Sequence, residues 1–323
     1  MARYAPGEGD NLAPSFLNAP LTPTLSLRER GRLYMTDTDL TLVSAWKGAQ
    51  TRLKAAHIDS PAIDARLLLE AATGYTRTDI LTDPYKLLTA EQKATLDDYL
   101  TRREKRVPVA RILGRKGFWK LLLDLTPAVL VPRPETECIV DMILKTTEEG
   151  QAFTLADLGV GSGAILLSVL SERPAAKGLG TDVSEEALAV ARDNAANLGL
   201  DGRAAFLRTS WGAGLADASF DFVASNPPYI RSDVIPTLDP EVRDHDPHLA
   251  LDGGESGLDA YVEMIPEAFR ILKAGGTAWV EIGYDQSAAV EDLMKKAGFF
   301  NVLTFKDLSD LPRIVVGQKL VMQ

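Results

Sequence analysis

Cysteine is almost missing from this chain. Cys138 stands alone, so an internal disulfide is impossible and no cysteine-based metal cluster can form. A chain without a thiol framework suits a reducing compartment, and a cytoplasmic location is expected. Histidine is scarce too, with only His57, His245 and His248. The last two sit in Arg243-Asp244-His245-Asp246-Pro247-His248, which reads more simply as a solvated loop than as a metal centre. No metal is expected. No apolar run is long enough to span a membrane. The first residues also lack a basic start followed by an apolar core, so no secretory leader is expected. Basic excess is absent as well: 35 Lys and Arg face 45 Asp and Glu, for a formal net charge of −10. Proteins that hold nucleic acid neutralise phosphates with basic surface, so a nucleic-acid partner is not expected.

What is present is a chain of 323 residues, 46% hydrophobic and 25% charged, long enough for two domains. Residues 1–34 stand apart: they are rich in Pro, Gly, Asn and Arg and show no periodicity. Residues 20–31 resemble the accidental translation of an interspersed bacterial DNA repeat. Met35 is the expected start, with a disordered, non-native extension before it. Thr36-Asp37-Thr38-Asp39 then offers a helix N-cap.

Residues 35–106 read as a small helical bundle. Leu40, Val43, Trp46, Ala49 and Leu53 recur at helical spacing. Ser60-Pro61 opens a second helix that Gly74 stops, and Thr89-Ala90-Glu91-Gln92 opens another. The bundle carries no chemistry of its own and reads as a docking module, with a stabilising appendage as the alternative. Residues 107–134 form a linker. Its basic positions, continuing from Arg102 and Arg103 to Arg115 and Lys116, read as a solvated face, with RNA contact second. A β-hairpin is expected there, with residues 118–125 and 128–131 flanking a turn at Thr126-Pro127.

From residue 135 to 323 strands and helices alternate, which argues for an α/β fold with a mostly parallel sheet. Seven strands are expected near 154–160, 177–183, 204–209, 220–225, 276–282, 300–306 and 313–320. Helices are expected near 135–147, 164–171, 184–198, 259–273 and 286–297. The last two strands have no helix between them and should pair antiparallel.

Two motifs carry chemistry. The first strand runs into Asp157-Leu158-Gly159-Val160-Gly161-Ser162-Gly163-Ala164, where glycines let backbone approach a ligand. The second strand ends in Asp182, suited to accept from ribose hydroxyls, although it could instead cap the next helix in competition with Ser184. Gly159, Gly161 and Ala164 also satisfy the dinucleotide fingerprint, so a nicotinamide enzyme must be weighed. The second motif is Asn226-Pro227-Pro228-Tyr229, directly after the apolar strand 220–225. Two prolines carry no N–H, so the turn offers acceptors only. Asn226 and the Pro227 carbonyl can each take one N–H of a planar NH₂ group, with Tyr229 stacked on it. Asp221, on the strand before this turn, reads as a surface or capping group rather than a base.

Together these residues resemble class I methyltransferases, and specifically the release-factor glutamine methyltransferase family (HemK/PrmC). The likeness extends to Pro132-Arg133-Pro134-Glu135-Thr136-Glu137, Thr209-Ser210-Trp211, Glu241-Val242, Ala250-Leu251-Asp252-Gly253-Gly254, and Glu281-Ile282-Gly283 with Gln286. Two positions depart from it: Gly117 where Glu commonly stands, and Asp246-Pro247 where Glu-Pro is more usual.

The resemblance implies a Rossmann-like seven-stranded sheet and S-adenosyl-L-methionine as cofactor. It implies N5-methylation of the glutamine in the Gly-Gly-Gln motif of class I peptide-chain release factors. Cofactor binding then falls to Gly159, Val160, Gly161, Ser162, Gly163, Asp182, Trp211 and Asn226, although Trp211 could be a packing residue. Asn226, Pro227 and Tyr229 become catalytic, and substrate binding adds Pro228. A ribosomal-protein glutamine and a DNA or RNA adenine N6 remain the alternative acceptors, because each presents a planar conjugated NH₂ group. An adenine would have to be flipped out of its helix.

Overall fold

The computed structural model describes residues 40–321. The expected start at Met35, the extension before it and the capping residues 36–39 lie outside the described residues. The helical bundle opens with α1 (Leu42–Ala55), capped by Thr41 and Ser44 in a reciprocal capping box. Then come α2 (Pro61–Thr73), ended by Gly74, and the short α3 (Arg77–Thr82). Next is α4 (Ala90–Glu104), capped by Thr89 and Gln92, and then α5 (Val109–Leu113). Their apolar faces share one core that includes Leu42, Leu53, Leu68, Leu69, Leu96, Leu100 and Ile112.

A two-stranded hairpin follows, β1 (Arg115–Phe118) against β2 (Leu121–Asp124). It turns at Trp119-Lys120, not at Thr126-Pro127, and residues 128–131 form no strand. The run 118–125 hides this turn because its turn positions, Trp119 and Lys120, are not usual turn residues. Trp119 supplies the left-handed backbone instead, at φ 53°.

The basic stretch beside the hairpin is not a solvated face throughout. Arg103 is buried between Asp64 at 2.7 Å and Glu241 at 3.0 Å. The Arg111 side chain is as well covered and meets Asp246 at 2.8 Å.

The large sheet contains β3 (Thr154–Leu158), β4 (Lys177–Asp182), β5 (Ala204–Arg208), β6 (Phe220–Ser225), β7 (Leu272–Glu281), β8 (Phe300–Lys306) and β9 (Pro312–Gln318). Its order is β5-β4-β3-β6-β7-β9-β8. The first five positions run parallel, and β9 pairs antiparallel with both β7 and β8. One face is covered by α6 (Glu137–Thr146), α7 (Ala164–Glu172) and α8 (Glu185–Asn197), which bury residues such as Ile139, Leu166 and Leu188. The short α9 (Pro240–Arg243) lies in the loop after β6. The other face is covered by α10 (Asp259–Ile271) and α11 (Ser287–Ala297) through Tyr261, Met264, Val290 and Met294.

Strand order reverses between β3 and β6, and open α/β sheets hold ligands at such a switch point. The pairing of Asp157 with Ala224 brings the ends of both strands to the same edge. The glycine loop and the Asn-Pro-Pro-Tyr turn are therefore neighbours because of register.

Candidate active site

A cavity of about 540 Å³ opens at this switch point, within the range of small-molecule sites. Gly159, Val160, Gly161, Ser162, Asp182, Trp211, Asn226 and Pro228 all line it. Gly161 shows why backbone is bare here. Its φ is 53°, and a Cβ added to it would meet no protein atom within 4 Å, so the space above it is free for a ligand. Gly163 has a different job. It precedes α7 and faces Leu167 and Ala191 rather than the cavity.

Asp182 accepts the Gly161 N–H and the Ser184 N–H, each at 3.0 Å. Ser184 itself caps α8, accepting the Ala187 N–H at 3.1 Å. The carboxylate of Asp182 is thus fixed by backbone and keeps lone pairs for a diol. Trp211 reaches across the cavity, its ring edge 3.4 Å from where a Gly159 side chain would begin, and donates from Nε1 to Glu263 at 3.2 Å. It also packs against the apolar cluster below, as the packing reading of this residue expects.

Asp157 sits beneath the loop and does not line the cavity. It is buried, accepts the Leu166 N–H at 3.1 Å through Oδ2, and leaves Oδ1 without a partner among the described residues. Burial pushes its carboxyl up to about 7.

On the facing wall, Asn226 donates from Nδ2 to the Thr136 hydroxyl at 3.0 Å. Its Oδ1 is left to accept. Pro227 is buried and Tyr229 is held away from the lining, with its ring in the apolar cluster and its hydroxyl donating to Glu281 at 3.3 Å. Burial raises the Tyr229 hydroxyl above its ordinary value, so it remains a donor at neutral pH. The turn is braced from behind. Gln286 Nε2 donates to the Tyr229 carbonyl at 3.0 Å, and Ile230 exchanges backbone bonds with Leu251 and Gly253. A side chain at Gly253 would stand 2.9 Å from the Tyr229 Cα, which explains a glycine at that position. Asp221 lies at the opposite end of β6, where it accepts from Thr154 and pairs with Lys273 at 2.9 Å.

Several lining residues were not singled out from the chain: Pro127, Ala128, Val129 and Leu130 from the linker, Val183 after β4, and Leu249 from the late loop. The linker residues form an apolar wall. Their only signal was hydrophobicity, which a strand would also show. Asp246, one of the departures from the family pattern, is a buried hub. It meets Arg111 at 2.8 Å and Arg133 at 2.7 Å, and accepts the Val131 N–H at 3.3 Å. The late loop is thereby tied to the linker wall, while Glu241 ties it to Arg103 and Arg106 of the helical bundle. Among the described residues no group of three or more His, Cys, Asp or Glu is placed to hold a metal ion.

The arrangement suits an adenosine-like ligand with its ribose on Asp182 and its other end toward Asn226. Two family descriptions match the chain, "PrmC N-terminal domain" over residues 44–114 and "Methyltransferase small domain" over residues 136–237. A release factor glutamine methyltransferase of Caulobacter vibrioides is 63% identical over 280 residues, covering 87% of this chain and 97% of that one. Relatives of the same description from Bradyrhizobium diazoefficiens and Agrobacterium fabrum are 44% and 42% identical. They cover 88% and 87% of this chain, and 96% and 98% of their own.

Proposed function

The chain belongs to the release factor glutamine methyltransferase family, and from that premise we propose the reaction, the acceptor and the residues that carry it. The enzyme methylates N5 of the glutamine in the Gly-Gly-Gln motif of class I peptide-chain release factors. S-adenosylmethionine supplies the electrophilic methyl group. Gly159, Gly161 and Ser162 receive the cofactor with backbone, Asp182 takes its ribose hydroxyls, and Trp211 covers its base.

A side-chain amide is a poor nucleophile, because its nitrogen lone pair is delocalised into the carbonyl. Asn226 Oδ1 and the Pro227 carbonyl accept the two N–H bonds and hold the nitrogen toward the donor. Holding reactants in an attack geometry is worth up to ~7–11 kcal/mol at its upper range. As positive charge grows on the nitrogen, these acceptors interact with it more strongly than with the neutral amide. Pro228 shapes the rim, and Tyr229 fixes the turn from below. The observation that carries this reading is the Asn226 amide, which lines the cavity and whose nitrogen is occupied by Thr136, leaving its oxygen to accept.

The helical bundle docks the release factor. Leu81, Tyr85 and Leu87 support this role, being 63%, 58% and 48% exposed on that domain. The loop from about 231 to 256 covers the bound glutamine, and its ion pairs to Arg103 and Arg106 link cover to dock. The reaction takes place in the cytoplasm; no helix among the described residues is long and apolar enough to cross a membrane.

Incubation with methyl-labelled S-adenosylmethionine and separate release factor, ribosomal protein and DNA acceptors tests the assignment. Label is expected on the release factor, and label confined to either other acceptor overturns it. Replacing Tyr85 and Leu87 by serine should raise KM for the release factor alone; an unchanged KM would refute the docking role.

A further inference from the structure

Behind the Asn-Pro-Pro-Tyr turn lies a buried carboxyl that the proposed reaction has not used. Glu281 ends β7, one strand over from the turn, and is 1% exposed. A glutamate in an apolar interior is costly unless its oxygens are satisfied. Here one oxygen accepts the Tyr229 hydroxyl at 3.3 Å, while Oε2 has no hydrogen-bond partner among the described residues. Thr136, only 4% exposed, makes no direct hydrogen bond to this carboxyl in the structure, but its hydroxyl is a neighbour that favours the charged form.

Thr136 is the residue that takes the Asn226 N–H. A hydroxyl has one proton to give. Having accepted from Asn226, Thr136 must direct its own proton to another acceptor, and the carboxylate beside it is the group with an open site. The direction of this chain matters. If Thr136 donates to Glu281, it can only accept from the Asn226 amide. The amide is then locked with Nδ2 inward and Oδ1 toward the cavity. The reversed amide would present an NH₂ group to a substrate NH₂, and neither could accept the other's protons.

We propose that Glu281 is a positioning residue, which acts through the Thr136 hydroxyl to hold the Asn226 amide with its oxygen toward the acceptor, and which anchors Tyr229 at the other end of the same turn. The inference rests on the amide-clamp reading of Asn226.

The charge state of Glu281 bears on this relay. Burial pushes its carboxyl up to about 7, against the lowering influence of Thr136, Arg313 and Tyr229. The groups facing it are Arg313 from β9, itself paired with Asp307, together with Glu135, the hydroxyls of Tyr229 and Tyr261, and Cys138. Ionised Glu281 is an obligate acceptor and sets the direction of the relay. Protonated Glu281 can donate, and the direction is lost. Activity at saturating cofactor should therefore rise with pH through about 7.

The test uses the full-length enzyme and whichever acceptor the wild type labels. A wrong substrate assignment then shows in the wild type, and a wrong relay shows only in the variants. Glu281→Gln nearly preserves shape but can donate to Thr136. It is expected to lower kcat at least about 30-fold, to leave KM for S-adenosylmethionine within about twofold, and to flatten the rise in kcat near pH 7. Thr136→Val should lower kcat similarly, and Thr136→Ser, which keeps the hydroxyl, should recover it to within about threefold. Combining Thr136→Val with Glu281→Gln should cost little more than either alone, because both break one relay. Thermal melts confirm that each variant is folded. The proposal is overturned if Glu281→Gln keeps kcat within about threefold and retains the wild-type pH profile. Multiplicative effects in the double variant, or failure of Thr136→Ser to recover activity, would also overturn it.

Discussion

The two walls of the cavity are held by different means. The wall proposed for the cofactor is made largely of backbone. Gly159, Gly161 and Ser162 lie in one short loop, and Asp182 is fixed by two main-chain N–H groups at 3.0 Å. The wall proposed for the acceptor depends on side chains brought from far along the chain. Asn226 is oriented by Thr136, Tyr229 by Glu281, and the loop beyond them by Arg103, Arg111 and Arg133. Backbone amides cannot be mutated away, so substitutions outside the glycines and Asp182 should disturb this wall least. The acceptor wall contains buried charges, and each one depends on its partner.

The largest test of that contrast is Asn226→Ala. It removes the side-chain acceptor of the clamp and should lower kcat on the order of 10³-fold, as loss of one aligned polar group commonly does. Cofactor affinity measured by calorimetry should fall far less. A fully active variant would refute the clamp. Asp246→Ala comes next, striking stability rather than chemistry. It strands the buried guanidinium of Arg111 and should cost about 3–5 kcal/mol in denaturant unfolding. An unchanged midpoint would show that the hub holds nothing.

Asp182→Asn probes the opposite wall. Loss of a charge-assisted hydrogen bond should weaken S-adenosylmethionine binding by about 1.5–3 kcal/mol, with a smaller change in kcat at saturation. A collapse of kcat with unchanged affinity would mean that the two walls are not separable in this way.

The smallest effect is a pH signature in stability. The folded-state pKa of Glu281 is raised to about 7, so the native state binds its proton more tightly than the unfolded chain does. The stabilisation from that proton is complete below the unfolded value near 4.5 and is lost as pH rises through about 7. Glu281→Gln removes this loss, so its melting temperature should gain on that of the wild type between pH 5 and pH 8. A difference that stays constant with pH would contradict the buried, titrating carboxylate. Stability and the proposed relay thus pull in opposite directions: the enzyme would work best where this carboxylate destabilises it most.

The same contrast explains what the chain disclosed before its structure was known. The seven strands and their antiparallel close were readable because apolar runs alternate with helical periods. The glycine loop and Asp182 were readable as cavity lining because both lie at the C-terminal ends of neighbouring parallel strands. Thr136 looked like a helix start and Glu281 like a strand exit, since nothing in either neighbourhood shows that they converge under Asn226. Asp246 looked like a tolerable departure from the family pattern. Its partners Arg111 and Arg133 sit more than a hundred positions away, at 135 and 113 residues. The hairpin was placed late because Trp119 supplies a left-handed turn that glycine or asparagine would have announced. Residues 128–131 satisfied a strand pattern, while 128–130 form no strand and line the cavity, and hydrophobicity alone does not separate the two.

The most direct test of the central claim is to find where the methyl group goes. Release factor incubated with the enzyme and S-adenosylmethionine is digested, and the modified peptide is fragmented by mass spectrometry. The account predicts one methyl on the side-chain nitrogen of the Gly-Gly-Gln glutamine, present with wild-type enzyme and lost with Asn226→Ala. A methyl on any other residue, or one that persists in the variant, would contradict it.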